Sequence, residues 1–348
     1  MKSFEPGYIA HQPVPPLLVR TIRLLGEFKG KETLFKQQTP QVLETLRQVS
    51  VIQSTESSNR IEGIVASSDR LKQLVEEKTT PRDRSEQEIA GYRDVLNTIH
   101  ANHPHIRCMP NIVLQLHRDL YKFTPQTGGR WKMADNEIVE TRADGSKAVR
   151  FNPVHAHLTS EYMEHLCIRF NTELEQGEVD PLLLVPAYVL DFLCIHPFVD
   201  GNGRMARLLS LLLLYQAGYE VGRYISLEKI IESQREGYYD ALYASSQDWH
   251  EGRHSLLPWW EYFLGVMMLG AYREFEERVN LLESGRGAKR TMVLDVIGRM
   301  TGAFTVSELT ERCPTVSIDR IRQILREESK AGHLACLSKG RDAKWTRI

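Results

Sequence analysis

The chain has 348 residues, 42% hydrophobic and 26% charged, an ordinary globular composition with length for two or three domains. With 44 Lys/Arg against 45 Asp/Glu it carries a formal charge of -1, which excludes a chain basic or acidic throughout. The longest apolar stretches, Leu182–Ile195 and Leu208–Tyr215, are too short to span a bilayer, Met1–His11 is not a leader, and five cysteines without a C-x-x-C pair argue against a disulfide framework or structural zinc, so a soluble cytoplasmic protein without membrane contact is expected.

In chain order, Thr39-Pro40 reads as an N-cap followed by proline at the first helical position, leading into Val42, Leu43, Leu46 and Val49 at helical spacing. Ser58-Asn-Arg-Ile-Glu62-Gly63 reads as a helix end with a glycine C-cap. Glu62 then sits in the last turn, where the helix dipole disfavours an anion by roughly 0.3–1 kcal/mol and a cationic partner would offset the cost. Ser67-Ser68 caps a stripe of Leu71, Leu74 and Val75, and Asn111–Tyr121 is a further helix. Glu137–Phe151 breaks the pattern: β-prone residues flank Asp144-Gly145, a hairpin-turn signal. Helical spacing returns in Leu158–Leu174, Asp180–Ile195 (with Pro186 expected to kink or restart it), Arg204–Gln216, Leu227–Trp249 and Leu257–Leu282. The aromatic cluster Trp249, Trp259, Trp260, Tyr262 and Phe263 reads as core. His100-x-x-His103-x-His105 and His155-x-His157 read as surface or turn histidines rather than metal ligands.

The tail differs in charge. From Gly285 to the end there are thirteen Lys/Arg against seven Asp/Glu, a net of +6, while the remainder holds 31 against 38, a net of -7. Glu283–Lys289, rich in small residues, reads as the linker between them. Beyond it, Thr291–Met300, Thr305–Arg312 and Ser317–Ala331 form three short helices, the last two separated by the turn Cys313-Pro314-Thr315. A β-ribbon, His333–Leu337 and Ala343–Ile348, flanks Ser338–Asp342. Three helices and a basic hairpin describe a winged helix-turn-helix. Its third helix carries Arg320, Arg322 and Arg326, its wing Lys339, Arg341 and Lys344. DNA and a protein both remain open as its partner.

The densest chemistry lies in Ile195-His-Pro-Phe-Val-Asp-Gly-Asn-Gly-Arg-Met-Ala-Arg207. An apolar helix enters a tight loop holding a histidine, a carboxylate and two glycines, and a second helix begins with Arg204 and Arg207 three residues apart. Backbone N–H groups of such a loop, with a helix N-terminus, suit phosphates. Asp200 can hold Mg²⁺, His196 can take a proton at neutral pH, and the arginines can neutralise phosphoryl charge. A Walker A loop is absent. Gly201–Ala206 also fits a loose G-x-G-x-x-A dinucleotide pattern, but both flanks are helical where that pattern needs a preceding strand.

His196–Arg207 matches, position by position, the H-x-F-x-[D/E]-G-N-G-R-x-x-R signature of the Fic family, and the chain resembles that family from about Val51 to Leu264. The resemblance implies a mostly α fold: an N-terminal helical region over 1–110 with an inhibitory helix at about 50–63, a Fic helical core over 111–284 with a β-hairpin flap, and the winged helix over 285–348. It implies transfer of AMP from ATP, with Mg²⁺, to a Ser, Thr or Tyr hydroxyl of a target protein or of the chain itself, releasing pyrophosphate, and it leaves AMP removal open as a second activity. On these positions His196 deprotonates the target hydroxyl and Asp200 binds Mg²⁺. Gly201, Asn202 and Gly203 cradle the phosphates with Arg204, the ATP-binding segment continues through Met205 and Ala206, and Arg207 reaches the γ-phosphate. Phe198 is the buried anchor of the loop. Tyr238 and Tyr239 resemble the nucleotide-pocket helix, with Ser246 near where some members carry Asn. Asn136, Glu137, Ile138 and Val139 resemble the start of the flap, which docks a target segment by strand addition. Val189 and Leu193 stand where His and Glu are frequent, and Gly203 stands where a phosphorylating branch carries Lys.

Ser58–Gly63 resembles the family's inhibitory [S/T]-x-x-x-E-[G/N] motif, in which the glutamate, here Glu62, pairs with the second arginine, here Arg207. The resemblance implies a self-inhibited adenylyltransferase. The alternative is a non-enzymatic DNA-binding regulator whose core senses nucleotide. Whether the chain forms a homodimer stays open.

Overall fold

Helices carry most of the chain in the computed structural model, which describes residues 2–38, 40–76, 79–141, 146–284, 288–300, 303–313, 316–338 and 343–347. Two compact units result: residues 1–29 with 46–274, and residues 30–45 with 275–348.

The first unit takes in most of α1 (Pro16–Gln38) and of α2 (Pro40–Ile61), then α3 (Ser68–Glu76), α4 (Arg84–Asn102) and α5 (Pro110–Leu120). Proline at the first position of α2 agrees with the sequence expectation, while its cap Thr39 lies outside the described residues. α1 and α4 escape the periodicity argument for physical reasons. α1 buries Leu18 and Leu25 but exposes Leu17, Val19 and Leu34, so its stripe is weak. α4 buries Glu86, Glu88, Arg93 and His100 among Ile89, Val95, Leu96 and Ile99, which blurs its apolar face. Its N-cap, Asp83, accepts from the Glu86 N–H at 2.9 Å. His100 and His103 are corrected here. His100 is buried within α4, and His103 is buried in a one-turn helix rather than at the surface.

A hairpin of β1 (Ile138–Thr141) and β2 (Lys147–Phe151) follows, antiparallel, with a bulge between Ile138 and Val139. The Asp144-Gly145 turn lies outside the described residues. Next come α6 (Thr159–Gln176), α7 (Pro181–Ile195) and α8 (Asn202–Gln216). α7 and α8 pack on each other and are buried nearly all round, with α4 and α6 against them. Pro186 does not restart α7, which is one helix. Side chains take carbonyls around it: Trp260 Nε1 donates to Leu183 C=O at 3.1 Å and Trp259 Nε1 to Pro186 C=O at 2.8 Å.

The run Leu227–Trp249, expected as one helix, is two: α9 (Leu227–Ser233) and α10 (Arg235–Ser246). They break at Gln234, whose φ of -119° and ψ of 35° leave the helical region. The aromatic cluster is core, with Trp249, Trp259 and Trp260 essentially sealed. α11 (Leu257–Trp260) passes through a π-helical stretch, Glu261–Met268, into α12 (Leu269–Ser284).

The second unit contains α13 (Ala288–Arg299), β3 (Phe304–Thr305), α14 (Val306–Arg312), α15 (Ile318–Lys330), β4 (Leu334–Cys336) and β5 (Lys344–Arg347). The strands form a sheet in the order β3-β5-β4 with both pairings antiparallel. Its core is Val293, Ile297, Phe304, Leu309, Ile321, Ile324, Leu325 and neighbours. Thr305 and Glu308 form a capping box at the head of α14. α15 turns Asp319, Arg322, Gln323, Arg326 and Lys330 to solvent, and Arg320 is half-buried. Linker residues 285–287, the turn residues Pro314 and Thr315, and the ribbon residues 339–342, with Lys339 and Arg341, lie outside the described residues. No described helix is long and apolar enough to cross a membrane.

Candidate active site

The loop from His196 to Gly201 joins the two most buried helices, and its shape is fixed by backbone conformation and by four neighbouring side chains. His196 closes α7 in the left-handed region (φ 49°, ψ 60°), its N–H donating to Phe192 C=O at 2.9 Å. Gly201, at φ 82°, opens α8, and a Cβ there would lie 2.9 Å from the Tyr121 hydroxyl. Asn202 ties the loop to itself: its Oδ1 accepts from Phe198 N–H at 2.9 Å and its Nδ2 donates to Phe198 C=O at 2.8 Å. The sealed Phe198 ring stacks on His117 with centroids 3.6 Å apart.

His117 also grips the loop directly. Its Nδ1 accepts from Gly129 N–H at 2.9 Å, so its Nε2 carries the proton donated to Asp200 C=O at 3.1 Å. Burial lowers its pKa to about 4, against the pull of the Asp200 carbonyl, and keeps this tautomer at neutral pH. Lys132 and Asn136 hold the carbonyls of residues 195–198.

The two arginines part company. Arg204, 1% exposed, lies 2.8 Å by its Nη1 from Glu88 Oε2 and donates through Nη2 to the Tyr121 hydroxyl at 2.8 Å. Asp200 Oδ2 is 4.0 Å from that Nη2. Arg207 instead meets the end of α2. Its Nε donates to Ser58 Oγ at 2.8 Å, and its Nη2 donates to Ser58 C=O at 2.9 Å and to Glu62 Oε1 at 2.8 Å. Burial works against the Arg207 charge, but Glu62, aided by Tyr238 and Tyr92, outweighs it and raises the pKa. Gly63, at φ 79°, ends α2 and lets Glu62 turn back toward α8. Gly203 then has a steric role: a Cβ there would collide with the Glu62 carboxylate.

These groups open onto one cavity of about 840 Å³, lined among others by Glu62, His196, Gly203, Arg207, Tyr238, Tyr239 and Ser246. Ile138 and Val139 from β1 and Arg150 from β2 form a wall. That volume lies within the range of sites for nucleotide-sized ligands, roughly 300–1,000 Å³. Tyr238 is buried, and burial raises its pKa. Ser246 donates to Tyr243 C=O at 3.0 Å. His196 has a pKa lowered to about 4, first by burial and then by Lys132, while the Leu193 carbonyl, Glu62 and Asp200 oppose the shift.

The structure therefore brings together His196, Gly203, Arg207, Glu62, Ser58, Tyr238, Tyr239, Ser246, Ile138 and Val139. It places others differently. Arg204, with Met205 and Ala206, is buried in the helix packing and does not line the cavity, and both ends of the Asn202 amide are taken by Phe198. Asn136 precedes β1, and its side chain serves the loop at His196 and Phe198. Glu137 also precedes β1 and does not line the cavity. Of Val189 and Leu193, only Leu193 lines it. Sequence reasoning missed Glu88, His117, Tyr121 and Lys132. Tertiary packing alone brings them to the loop, and no spacing in the sequence points there.

Residues 108–214 match the Fic/DOC family. A Fido domain-containing protein of Dictyostelium discoideum is 53% identical over 36 residues, 10% of this chain and 25% of that protein, so the match spans a quarter of that relative's length. A Fic family protein from Desulfovibrio desulfuricans superposes with a TM-score of 0.62 at 19% identity, covering 97% of each chain. A Fic domain containing signaling protein from Bacteroides thetaiotaomicron does so with a TM-score of 0.58 at 20% identity, covering 72% of this chain and 94% of that one. At such identities these two likenesses show a shared fold.

Proposed function

From the premise that this chain belongs to the Fic/DOC family through residues 108–214, we propose that it is a self-inhibited adenylyltransferase. It moves AMP from ATP to a Ser, Thr or Tyr hydroxyl of a target protein, or of itself. The observation that carries this reading is the meeting of Glu62 and Ser58 with Arg207 in the cavity that also holds His196.

In the reaction the target hydroxyl oxygen bonds to the α-phosphorus, the bond from that phosphorus to the bridging oxygen breaks, and pyrophosphate leaves. The hydroxyl proton goes to His196, whose depressed pKa keeps it neutral and receptive at pH 7. Arg207 is suited to the γ-phosphate once Glu62 releases it. Mg²⁺ fits Asp200: that carboxylate is 48% exposed, and its Oδ1 accepts from the Gly201 N–H. Among the described residues no three His, Cys, Asp or Glu gather as a metal cluster, so one carboxylate plus substrate phosphates is the fitting arrangement. The ion would supply neutralisation of phosphate charge. The hairpin has only two strands among the described residues, so β1, with Val139 exposed, offers an edge that suits a target segment added as a strand.

Incubation with α-labelled ATP and Mg²⁺ tests the reading. Covalent label should appear, and His196→Ala should reduce it by about 10²–10⁴-fold while ATP stays bound. Nucleotide binding with no label in any variant would leave the competing reading, a regulator that senses nucleotide. For the second unit we propose a winged helix-turn-helix that contacts DNA phosphates, on the strength of the stripe Arg322, Arg326 and Lys330. Three such contacts predict an affinity loss of about 40-fold between about 50 and 200 mM salt. A salt-independent interaction would contradict it.

A further inference from the structure

Lys132 is a buried cation whose hydrogen bonds go to neutral groups. It is 2% exposed, and among the described residues no carboxylate comes within ion-pair distance of its Nζ. Its hydrogen bonds go to neutral oxygens: Nζ donates to Ile195 C=O at 3.1 Å and to Asn136 Oδ1 at 2.8 Å, while its backbone N–H donates to Pro197 C=O at 2.8 Å. Asn136 Nδ2 in turn donates to Phe198 C=O at 3.1 Å and reaches His196 C=O at 3.4 Å. Two residues four apart thus take four successive carbonyls, 195 through 198. Those are oxygens that the end of α7 and the left-handed turn at His196 would otherwise leave without helical partners. A buried ammonium without an ion-paired carboxylate is costly, and a neutral donor could make the same bonds at less cost. The charge itself therefore calls for a role.

We propose that Lys132 is a positioning residue for His196: through Asn136 and the carbonyls of residues 195–198 it fixes the turn that presents the imidazole, and its charge adds to the cost of protonating that imidazole. The use of that state rests on the adenylyltransferase reading above, whereas the clasp and its field do not. The charged groups around His196 are Glu62 at the end of α2, Arg207 on α8, Asp200 in the loop and Lys132 below it. Glu62 and Asp200 favour the imidazolium, and Lys132 disfavours it. Burial lowers the Lys132 pKa to about 8, against Asp135, which favours the ammonium. While Lys132 is protonated its charge adds to burial in holding His196 at about 4, and that contribution is lost as pH rises through about 8.

The test is an NMR titration of the full-length chain with ring-labelled histidine, His196 being assigned by its absence in His196→Ala. Lys132→Met should move the His196 midpoint upward from about 4 toward the ordinary 6.5, and Lys132→Arg should restore it. In the unmodified protein the His196 resonances should show a second, smaller inflection near about 8, which needs no variant to fold. An unmoved midpoint in a folded Lys132→Met, or the missing inflection in the unmodified protein, overturns the proposal. The acid limb of AMP transfer, measured beside it in the Glu62→Gly background, should shift upward in the same direction. A moved midpoint with no transfer in any variant supports the Lys132 assignment and rejects the adenylyltransferase reading, so the two failures are distinguishable.

Discussion

Arg204 and Arg207 lie three residues apart on α8, each beside a glutamate at 2.8 Å, yet they differ in kind. Arg204 sits with Glu88, 5% exposed, and the buried Tyr121 hydroxyl, all inside the packing of α4, α5 and α8. Arg207 sits with Glu62, 33% exposed, at a cavity wall beside the end of a helix. Separating the first pair strands charges in a low-dielectric interior, whereas separating the second lets a carboxylate swing into solvent. The same pair of residue types thus makes a sealed strut in one place and, in the proposed reading, a releasable block in the other. The loop that opens α8 precedes both, and Arg207 is bonded there by one carboxylate and one serine.

The largest expected effect tests the strut. Arg204→Ala should destabilise the fold by about 3 kcal/mol, near the low end for breaking a buried pair, because Arg84 still reaches Glu88 at 2.9 Å. Urea denaturation reads it, and a loss under about 1 kcal/mol would make Arg204 as dispensable as a surface cation. Next comes the block. Glu62→Gly should raise label transfer from ATP by well over tenfold, equivalent to about 1.4 kcal/mol or more, with a smaller cost in stability. Adding Arg207→Ala should erase that gain, a non-additivity expected only if the arginine is what Glu62 withholds. An unchanged transfer rate in Glu62→Gly, with ATP binding confirmed, would end the comparison. The smallest effect belongs to Ser58→Ala, which removes one hydrogen bond to Arg207 at 2.8 Å. About 1 kcal/mol of stability and a rise in transfer below that of Glu62→Gly are expected, and an equal or larger rise would assign the block to Ser58 instead.

Local chemistry made parts of this molecule readable in one dimension. Gly63 marks the end of α2, Pro40 its first residue, and Asp180-Pro181 the head of α7, because caps are decided by neighbouring backbone groups. His196, Gly201, Gly203 and Arg207 were legible as a unit because twelve adjacent residues hold them all. Glu62 was legible through an anion placed against the helix dipole, a local misfit that asks for a cation elsewhere.

The sequence by itself could not place polar groups that act through packing. α4 escaped notice because Glu86, Glu88, Arg93 and His100 interrupt its apolar face, and each is there for a distant or local partner that periodicity cannot see. Glu88 and Tyr121 decide which way Arg204 points, and therefore that Arg204 braces the loop while Arg207 meets the cavity. His117 and Lys132 decide the loop's shape and the charge state of His196, from 83 residues before Asp200 and 63 before Ile195. Desolvation is what makes these contacts strong, and desolvation is a property of the assembled core. The local code therefore determined which groups could do the chemistry, and only the tertiary structure decided their orientation, their protonation and which arginine stands at the gate.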